Sequence, residues 1–243
     1  MTIAFDPKGW KDLPTFALHD WWDIKQSGEH VPFHVDYERL EGGFVPDIPY
    51  ALIRRFTKPG WVVYDPMAGA MVTHRVATFM SRKCISVDLT MRGNLDDEMY
   101  DDLILADARY YEPEEPVDMI VWHPPYQQVV QFSDSENDLS NMEPGEFWES
   151  VEDCLKTFDG ILNSQRICAI VIGNIYRDQA VVPLPALMHL TVEKVAPWWK
   201  LKGWITKNIV GNRQGDHGLW EYRSVNADSF VFGHEEILVY KKE

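Results

Sequence analysis

The chain has 243 residues, of which 45% are hydrophobic, and this length and composition predict one packed globular domain over residues 1–243. A formal charge of −15 argues against an obvious nucleic-acid binder, because neutralising phosphates dominates binding to a duplex. The chain shows no run of 18 apolar residues, no signal-peptide pattern and only three widely spaced cysteines. We therefore expect no membrane span, no disulfide framework and no metal site, and a reducing cytoplasmic location.

The charge is distributed unevenly along the chain. Residues 190–223 contain six Lys/Arg and three Asp/Glu, a net charge of +3, so the remaining residues carry −18. If the protein binds a polyanion, we expect the polyanion to meet this C-terminal third. A solvated face with scattered lysines explains the same charges equally well.

The N-terminal half is predicted to contain a helix followed by half of a βαβ unit. Residues 1–45 show no sustained period and form an N-terminal extension. Residues 47–56 are typical of a helix capped by Asp47. A strand over residues 61–65 then leads through a small-residue turn into a helix that ends near Arg82, which is how a βαβ unit begins.

Three predicted strands end in an aspartate. They cover residues 61–65, 84–88 and 103–108, and the aspartates are Asp65, Asp88 and Asp107. One such residue is ordinary turn chemistry. Three of them at the same edge of a parallel sheet indicate a site, because ligands of open α/β sheets bind at the carboxyl ends of the strands.

The fourth predicted strand ends in a rigid corner. Residues 117–122 are apolar and rich in β-branched side chains, and His123-Pro124-Pro125-Tyr126 follows them directly. Neither proline has an N–H to donate, so the strand stops at this point. The Pro-Pro pair alone is typical of a stiff turn, but the three preceding aspartates favour a functional edge.

The C-terminal half alternates helices and strands around two long loops. Helices are predicted over residues 147–162 and 181–195, and strands over residues 166–173, 204–210 and 236–241. Residues 127–146 and 211–233 are polar and too long for ordinary connections, so we interpret them as substrate loops.

The turn after the first strand, the aspartates and the Pro-Pro corner together resemble S-adenosylmethionine-dependent DNA amino-methyltransferases, which act on adenine N6 or cytosine N4. Val63-Tyr-Asp-Pro-Met-Ala-Gly69 is similar to the family pattern Asp-Pro-Phe-Ala-Gly-Ser-Gly, and His123-Pro-Pro-Tyr126 to Asp/Asn/Ser-Pro-Pro-Tyr/Phe/Trp. The resemblance covers roughly residues 30–241. It implies an α/β fold with a Rossmann-like, seven-stranded, mostly parallel sheet, an antiparallel last strand and helices on both faces.

The resemblance also implies roles for individual residues. Asp88 would bind the ribose hydroxyls of S-adenosylmethionine, and Asp107 its adenine amino group. The implied cofactor-binding residues are Phe44, Asp65, Pro66, Ala68, Gly69, Asp88, Asp107 and Ala108. The implied catalytic residues are His123, Pro124, Pro125 and Tyr126: the side chain at 123 and the Pro124 carbonyl would accept the amine hydrogens, and Tyr126 would stack on an extruded base.

Substrate contacts beyond Tyr126 are expected from the second long loop. Arg213, Trp220 and Arg223 combine cations with an aromatic ring, a mixture suited to phosphate and base contacts. Packing of Trp220 in the core is an equally good interpretation. Since the loops are small and the surface is acidic, we expect a homodimer or a partner subunit.

Two positions depart from the family pattern. Met71 stands where the family has its second glycine, and a side chain there is expected to disfavour a positive φ and to crowd the cofactor. His123 replaces Asp, Asn or Ser. A neutral imidazole offers one acceptor nitrogen and a protonated one offers none, so activity should fall as the pH drops through the imidazole pKa.

The sequence thus leaves three functions open. The first is a DNA amino-methyltransferase, with adenine N6 ahead of cytosine N4. The second is an RNA base methyltransferase, although no appended RNA-binding domain is visible. The third is a catalytically silent subunit that binds nucleic acid or a partner, which Met71, His123 and the acidic charge favour.

Overall fold

The structure is a computed structural model, and it describes residues 11–24, 28–35, 43, 45–91, 98–209, 217–226 and 228–243. The strands are β1 (Trp21–Trp22), β2 (Val62–Asp65), β3 (Lys83–Asp88), β4 (Leu103–Leu105), β5 (Val117–Trp122), β6 (Leu162–Ile172), β7 (Ile175–Arg177), β8 (Ala180–Val182), β9 (Trp199–Asn208) and β10 (His234–Lys242). The helices are α1 (Asp47–Phe56), α2 (Val72–Phe79), α3 (Pro144–Ile161), α4 (Leu184–Val195) and α5 (His217–Asn226).

One large sheet has the strand order β1-β9-β10-β6-β5-β2-β3-β4. Strands β2 to β6 pair in parallel, and β10 runs antiparallel to both β6 and β9, as predicted. The predicted count of seven strands is wrong by one. The N-terminal segment adds β1, which pairs with β9 through Trp21 opposite Thr206 and Trp22 opposite Lys207.

Successive side chains of the central strands point to opposite faces of the sheet and pack into two hydrophobic cores, one on each face. Helices α3 and α4 cover one face, where Phe147, Phe158 and Met188 belong to the same hydrophobic cluster as Trp122. Helices α1 and α2 cover the other face, where Leu52 and neighbouring residues pack on the remaining strand side chains. Both faces are therefore closed by helices, and the edges of the strands are the places left for polar groups.

Several predicted boundaries are wrong. Asp47 does not cap α1; Pro46 takes that position, and the Asp47 carboxylate accepts hydrogen bonds from the N–H groups of Gly28 and His30 at 2.5 and 2.9 Å. Helix α2 ends at Phe79 instead of near Arg82.

Besides β1, the β7–β8 hairpin and α5 were not predicted. The β7–β8 hairpin occupies the start of the helix that was expected from residue 181, so α4 begins only at Leu184. Helix α5 lies within the predicted loop 211–233. No helix in the part of the chain that the structure describes is long and apolar enough to cross a membrane.

Candidate active site

A cavity of about 250 Å³ lies at the carboxyl edge of the parallel strands. The predicted residues that line it are Asp65, Pro66, Ala68, Gly69, Asp88, Asp107, Ala108, His123, Pro124, Pro125 and Tyr126. Residues 129, 130, 132 and 137–139 of the predicted loop 127–146 also line it. The ends of four strands and one long loop therefore meet at a single site.

Four other predicted site residues cannot be placed. Phe44 and Arg213 lie outside the described residues. Trp220 and Arg223 belong to the backbone of α5, but their side chains also lie outside the described ones. Their proposed cofactor and substrate contacts stay predictions.

The turn after β2 is fastened to the end of β3. The Ala68 N–H donates to the Val87 carbonyl at 2.9 Å, and the Gly69 N–H donates to the Asp88 carboxylate at 2.9 Å. Gly69 has a φ of +48°, a conformation that is costly for most residues with a Cβ. Asp88 thereby holds the turn in place and still faces the cavity.

Met71 has a left-handed backbone conformation, although a residue with a side chain was expected to disfavour a positive φ at this position. Its φ is +58° and its ψ is +24°, at the start of α2. The side chain is fully buried with Ala68 and Tyr100 and does not line the cavity. The expectation that it crowds the site is therefore wrong, and the departure from glycine is met by backbone strain of about 1–2 kcal/mol.

Asp65 is buried at the end of β2, where its carboxylate accepts a hydrogen bond from the Met67 N–H at 3.2 Å. Burial raises the pKa of Asp65 to about 7, and the negative charge of Asp88 acts in the same direction. A cation in the cavity would offset this cost, because an opposite charge favours the ionised carboxylate.

Asp107 is bound on both oxygens by Arg109, a residue that the sequence analysis missed. The guanidinium Nη2 lies 2.6 Å from one carboxylate oxygen, and the Arg109 N–H donates to the other at 3.0 Å. Arg109 also donates to Asn137 at 2.9 Å and to Ser150 at 3.2 Å. One side chain thus ties the end of β4 to the loop 127–146, and most of the acceptor capacity of Asp107 is already used.

His123 and Tyr126 belong to a chain of polar groups. His123 Nε2 lies 3.3 Å from the Tyr126 hydroxyl, which donates to Glu235 Oε2 at 3.4 Å. Glu235 Oε1 accepts a hydrogen bond from Lys207 Nζ at 2.8 Å. Burial lowers the pKa of His123 and raises that of Tyr126 well above its usual value, so at pH 7 the imidazole is neutral and the hydroxyl keeps its proton.

Glu235 and Lys207 were also missed by the sequence analysis, although a signal was present. Glu235 and Glu236 are two acids directly before the apolar strand run Ile237 to Tyr240. Lys207 lies opposite Glu235 in the β9–β10 register. Charged residues at such positions are rarely buried unless they are paired. Sequence alone could not give the register, which decides that these two charges meet.

The cavity wall is strongly acidic. Asp65, Asp88, Asp107, Asp138 and Glu235 line it, and no Lys or Arg among the described residues does so. Within the same described part of the chain, no group of three or more His, Cys, Asp or Glu residues is arranged to hold a metal ion. The wall suits a cationic ligand with hydroxyl and amino donors.

Comparisons with known proteins bear on the fold. A scan against protein-family models found no match for the sequence, and a search of curated proteins found none. The structure is similar to TrmN from Thermus thermophilus, with a TM-score of 0.50 and 16% identity over 82% of this chain and 49% of TrmN, so the chain spans about half of TrmN. A TehB-like SAM-dependent methyltransferase from Corynebacterium glutamicum gives a TM-score of 0.49 and 15% identity, covering 80% of this chain and 87% of that one. The chain has a Rossmann-like methyltransferase fold.

Substitution of Met71 tests the strain at the start of α2. Ordinarily Ala is more stable than Gly by about 0.5–1 kcal/mol. At this left-handed position we expect the reverse: Met71→Gly and Met71→Ala both lose the buried side chain, but only Gly relieves the strain. Urea unfolding should show Met71→Gly to be more stable than Met71→Ala by about 1 kcal/mol. Equal stability, or a more stable Ala variant, would contradict the strain.

Replacement of Asp65 tests the raised pKa. Between pH 3.8 and about 7 the folded protein keeps a proton that the unfolded chain has lost, so the free energy of unfolding falls as the pH rises through this window. Asp65→Asn removes this fall. The free energy of unfolding of the variant, measured in urea without added ligand, should rise relative to that of the wild type by about 2 kcal/mol between pH 5.5 and pH 8.5.

The matched control for this measurement is Asp12→Asn, since the Asp12 side chain is 72% exposed. Its pH dependence should follow that of the wild type. A wild-type curve parallel to that of Asp65→Asn would show that Asp65 titrates normally.

Proposed function

We propose that the protein is an S-adenosylmethionine-dependent methyltransferase that modifies the exocyclic amino group of a base in DNA, with adenine N6 favoured over cytosine N4. One observation carries this proposal. Asp65, Asp88, Asp107 and the corner His123–Tyr126, whose motifs resemble those of DNA amino-methyltransferases, line the same cavity.

The residues fit this cofactor in their chemistry. S-adenosylmethionine carries a sulfonium and an ammonium group, a ribose diol and an adenine amino group. The carboxylates of the wall would compensate the two cations, Asp88 would accept from the diol, and Asp107 would share its oxygens between Arg109 and the adenine amino group. Met71 leaves the cavity open. The chemistry that the cofactor supplies when bound is an electrophilic methyl group.

The catalytic corner would prepare the amine. An exocyclic amine is a poor nucleophile, because its lone pair is conjugated with the ring. His123 and the Pro124 carbonyl would accept its two hydrogens and favour a pyramidal nitrogen, and fixed positions would align that nitrogen with the methyl carbon. Tyr126 would stack on the base, a contact worth about 1–3 kcal/mol, which offsets the few kcal/mol that base extrusion costs.

Contacts with the rest of the substrate would come from the loop 127–146, from Arg213, Trp220 and Arg223, and from the basic stretch 190–223. We also propose that a second copy or a partner subunit adds contacts, since the cavity wall is acidic and repels phosphates.

The proposal is tested by tritiated-methyl transfer from S-adenosylmethionine to DNA and, in parallel, to RNA, followed by mass spectrometry of the nucleosides. Methylated adenine or cytosine from DNA supports it, whereas label in RNA alone identifies an RNA base methyltransferase. Calorimetric titration with the cofactor gives the third outcome. Absence of heat at millimolar cofactor identifies a silent subunit.

Asp88→Asn tests the cofactor site separately from the substrate. Loss of a charged acceptor from two hydroxyls should weaken S-adenosylmethionine binding in calorimetry by about 10- to 100-fold. Asp153→Asn, on α3 and with a side chain that is 41% exposed, is the control and should bind like the wild type. If the two variants bind S-adenosylmethionine with equal affinity, Asp88 does not contact the cofactor.

The acid limb of the pH–rate profile tests His123. Since burial lowers its pKa, kcat/KM should stay level above pH 6.5, the usual imidazole value, and fall only below it, where protonation removes the acceptor. In His123→Asn, which restores a residue of the family pattern, the normalised profile should lack this fall. Identical profiles for the two proteins would rule out the acceptor role.

A further inference from the structure

The ends of three strands contribute to a chain of polar groups beside the cavity. His123 and Tyr126 follow β5, Lys207 lies near the end of β9, and Glu235 lies near the start of β10. His123, Tyr126 and Glu235 line the cavity, whereas Lys207 lies behind Glu235. This arrangement goes beyond the motif from which the function was proposed, because Lys207 and Glu235 belong to neither the cofactor turn nor the Pro-Pro corner.

The Lys207–Glu235 pair is a buried, fixed charge pair. The side chains are 6% and 11% exposed, and their N–O distance is 2.8 Å. Lys207 is covered because β1 places Trp22 beside it on the outer side of β9. A carboxylate that is ion-paired with an ammonium group accepts hydrogen bonds and donates none.

Tyr126 is held against this carboxylate by its surroundings. A Cβ on Gly173 would lie 3.3 Å from a ring carbon of Tyr126 and 3.4 Å from its hydroxyl, so the glycine lets the ring pack closely against the backbone at residue 173. The hydroxyl therefore lies between His123 Nε2 at 3.3 Å and Glu235 Oε2 at 3.4 Å.

These contacts have a direction. Since Glu235 can only accept, the Tyr126 hydroxyl donates its proton to Glu235, and its oxygen is left to accept from His123. A neutral imidazole has one N–H, and it must then be on Nε2. The other ring nitrogen, Nδ1, carries the acceptor lone pair.

We infer that Glu235 is a positioning residue that, through the Tyr126 hydroxyl, holds His123 in the tautomer protonated on Nε2. The ion pair with Lys207 holds the Glu235 carboxylate in place. The tautomer itself does not depend on the enzymatic activity; its use, a single acceptor nitrogen presented to the substrate amine, rests on the proposed function. The family motif has Asp, Asn or Ser at the position of His123, and each of these offers an acceptor. The fixed tautomer would keep an acceptor there in the form of Nδ1.

The test is nitrogen NMR of the full chain with ¹⁵N-labelled histidine, without cofactor or substrate, at a pH where His123 is neutral. His123→Asn assigns the signals by their loss. The wild type should show a protonated-type shift for Nε2 and an unprotonated-type shift for Nδ1. Tyr126→Phe, which leaves the Lys207–Glu235 pair intact, should abolish this preference, and so should Glu235→Gln, whose amide can also donate.

Glu236→Gln is the matched control. Glu236 is the next residue on β10, is similarly buried, and accepts hydrogen bonds from Trp204 and Thr206 instead of Tyr126. Its His123 signals should equal those of the wild type. A wild type protonated on Nδ1, or a folded Tyr126→Phe that keeps the Nε2 proton, overturns the inference; if Glu235→Gln fails to fold, Tyr126→Phe decides.

Activity is measured second and separately. Tyr126→Phe and Glu235→Gln should lower kcat by about 100-fold, while the cofactor affinity stays within a factor of about two of the wild type. Inactivity of a wild type that shows the Nε2 tautomer would overturn the proposed function and leave the inference standing. Loss of the tautomer in both variants without a fall in kcat would overturn the role in catalysis.

Discussion

Burial of the parallel strands on both faces is the constraint on which the rest of this structure depends. Residues 117–122 of β5 are almost wholly enclosed between the two helical layers, so a polar side chain within the strand would lose its hydration without a partner. Asp118, near the start of the strand, has such a partner in Arg166. Residues 119–122 are all buried and apolar, and His123 is the first polar residue after them. The same reasoning holds for Asp65 and Asp88, the last residues of β2 and β3. The site therefore lies at the carboxyl ends of the strands, where the hydrophobic core ends.

A concentration of carboxylates at one edge has an electrostatic cost, and the chain compensates it in three different ways. Asp88 receives backbone N–H groups, Asp107 is paired with Arg109, and Glu235 is paired with Lys207. Among the described residues no cation pairs with Asp65, and burial raises its pKa instead. The cavity wall therefore keeps a negative potential while the surrounding turns stay folded. A negative potential is the property that favours binding of a cationic ligand.

Much of this arrangement could be predicted from the sequence, and the parts that could not have a common cause. Apolar runs and the acids at their ends are local signals, so the central strands and the convergence of Asp65, Asp88, Asp107 and His123 were predicted correctly. Strand β1, the β7–β8 hairpin and the Lys207–Glu235 pair depend on long-range pairing, which no local pattern encodes. Met71 shows the same limit for the backbone, since tertiary packing of its side chain stabilises a φ that local preference disfavours.

Arg109 belongs to two equilibria at once. Its guanidinium binds Asp107 in the cavity and Asn137 in the loop that forms one wall of that cavity. A ligand that hydrogen-bonds to Asp107 alters the energy of the Arg109–Asn137 contact with the loop. A molecule that strengthens the Arg109–Asn137 contact alters the affinity of the cavity for that ligand. Thermodynamic reciprocity makes these two factors equal, so occupancy of the cavity and order of its wall are linked through a single side chain.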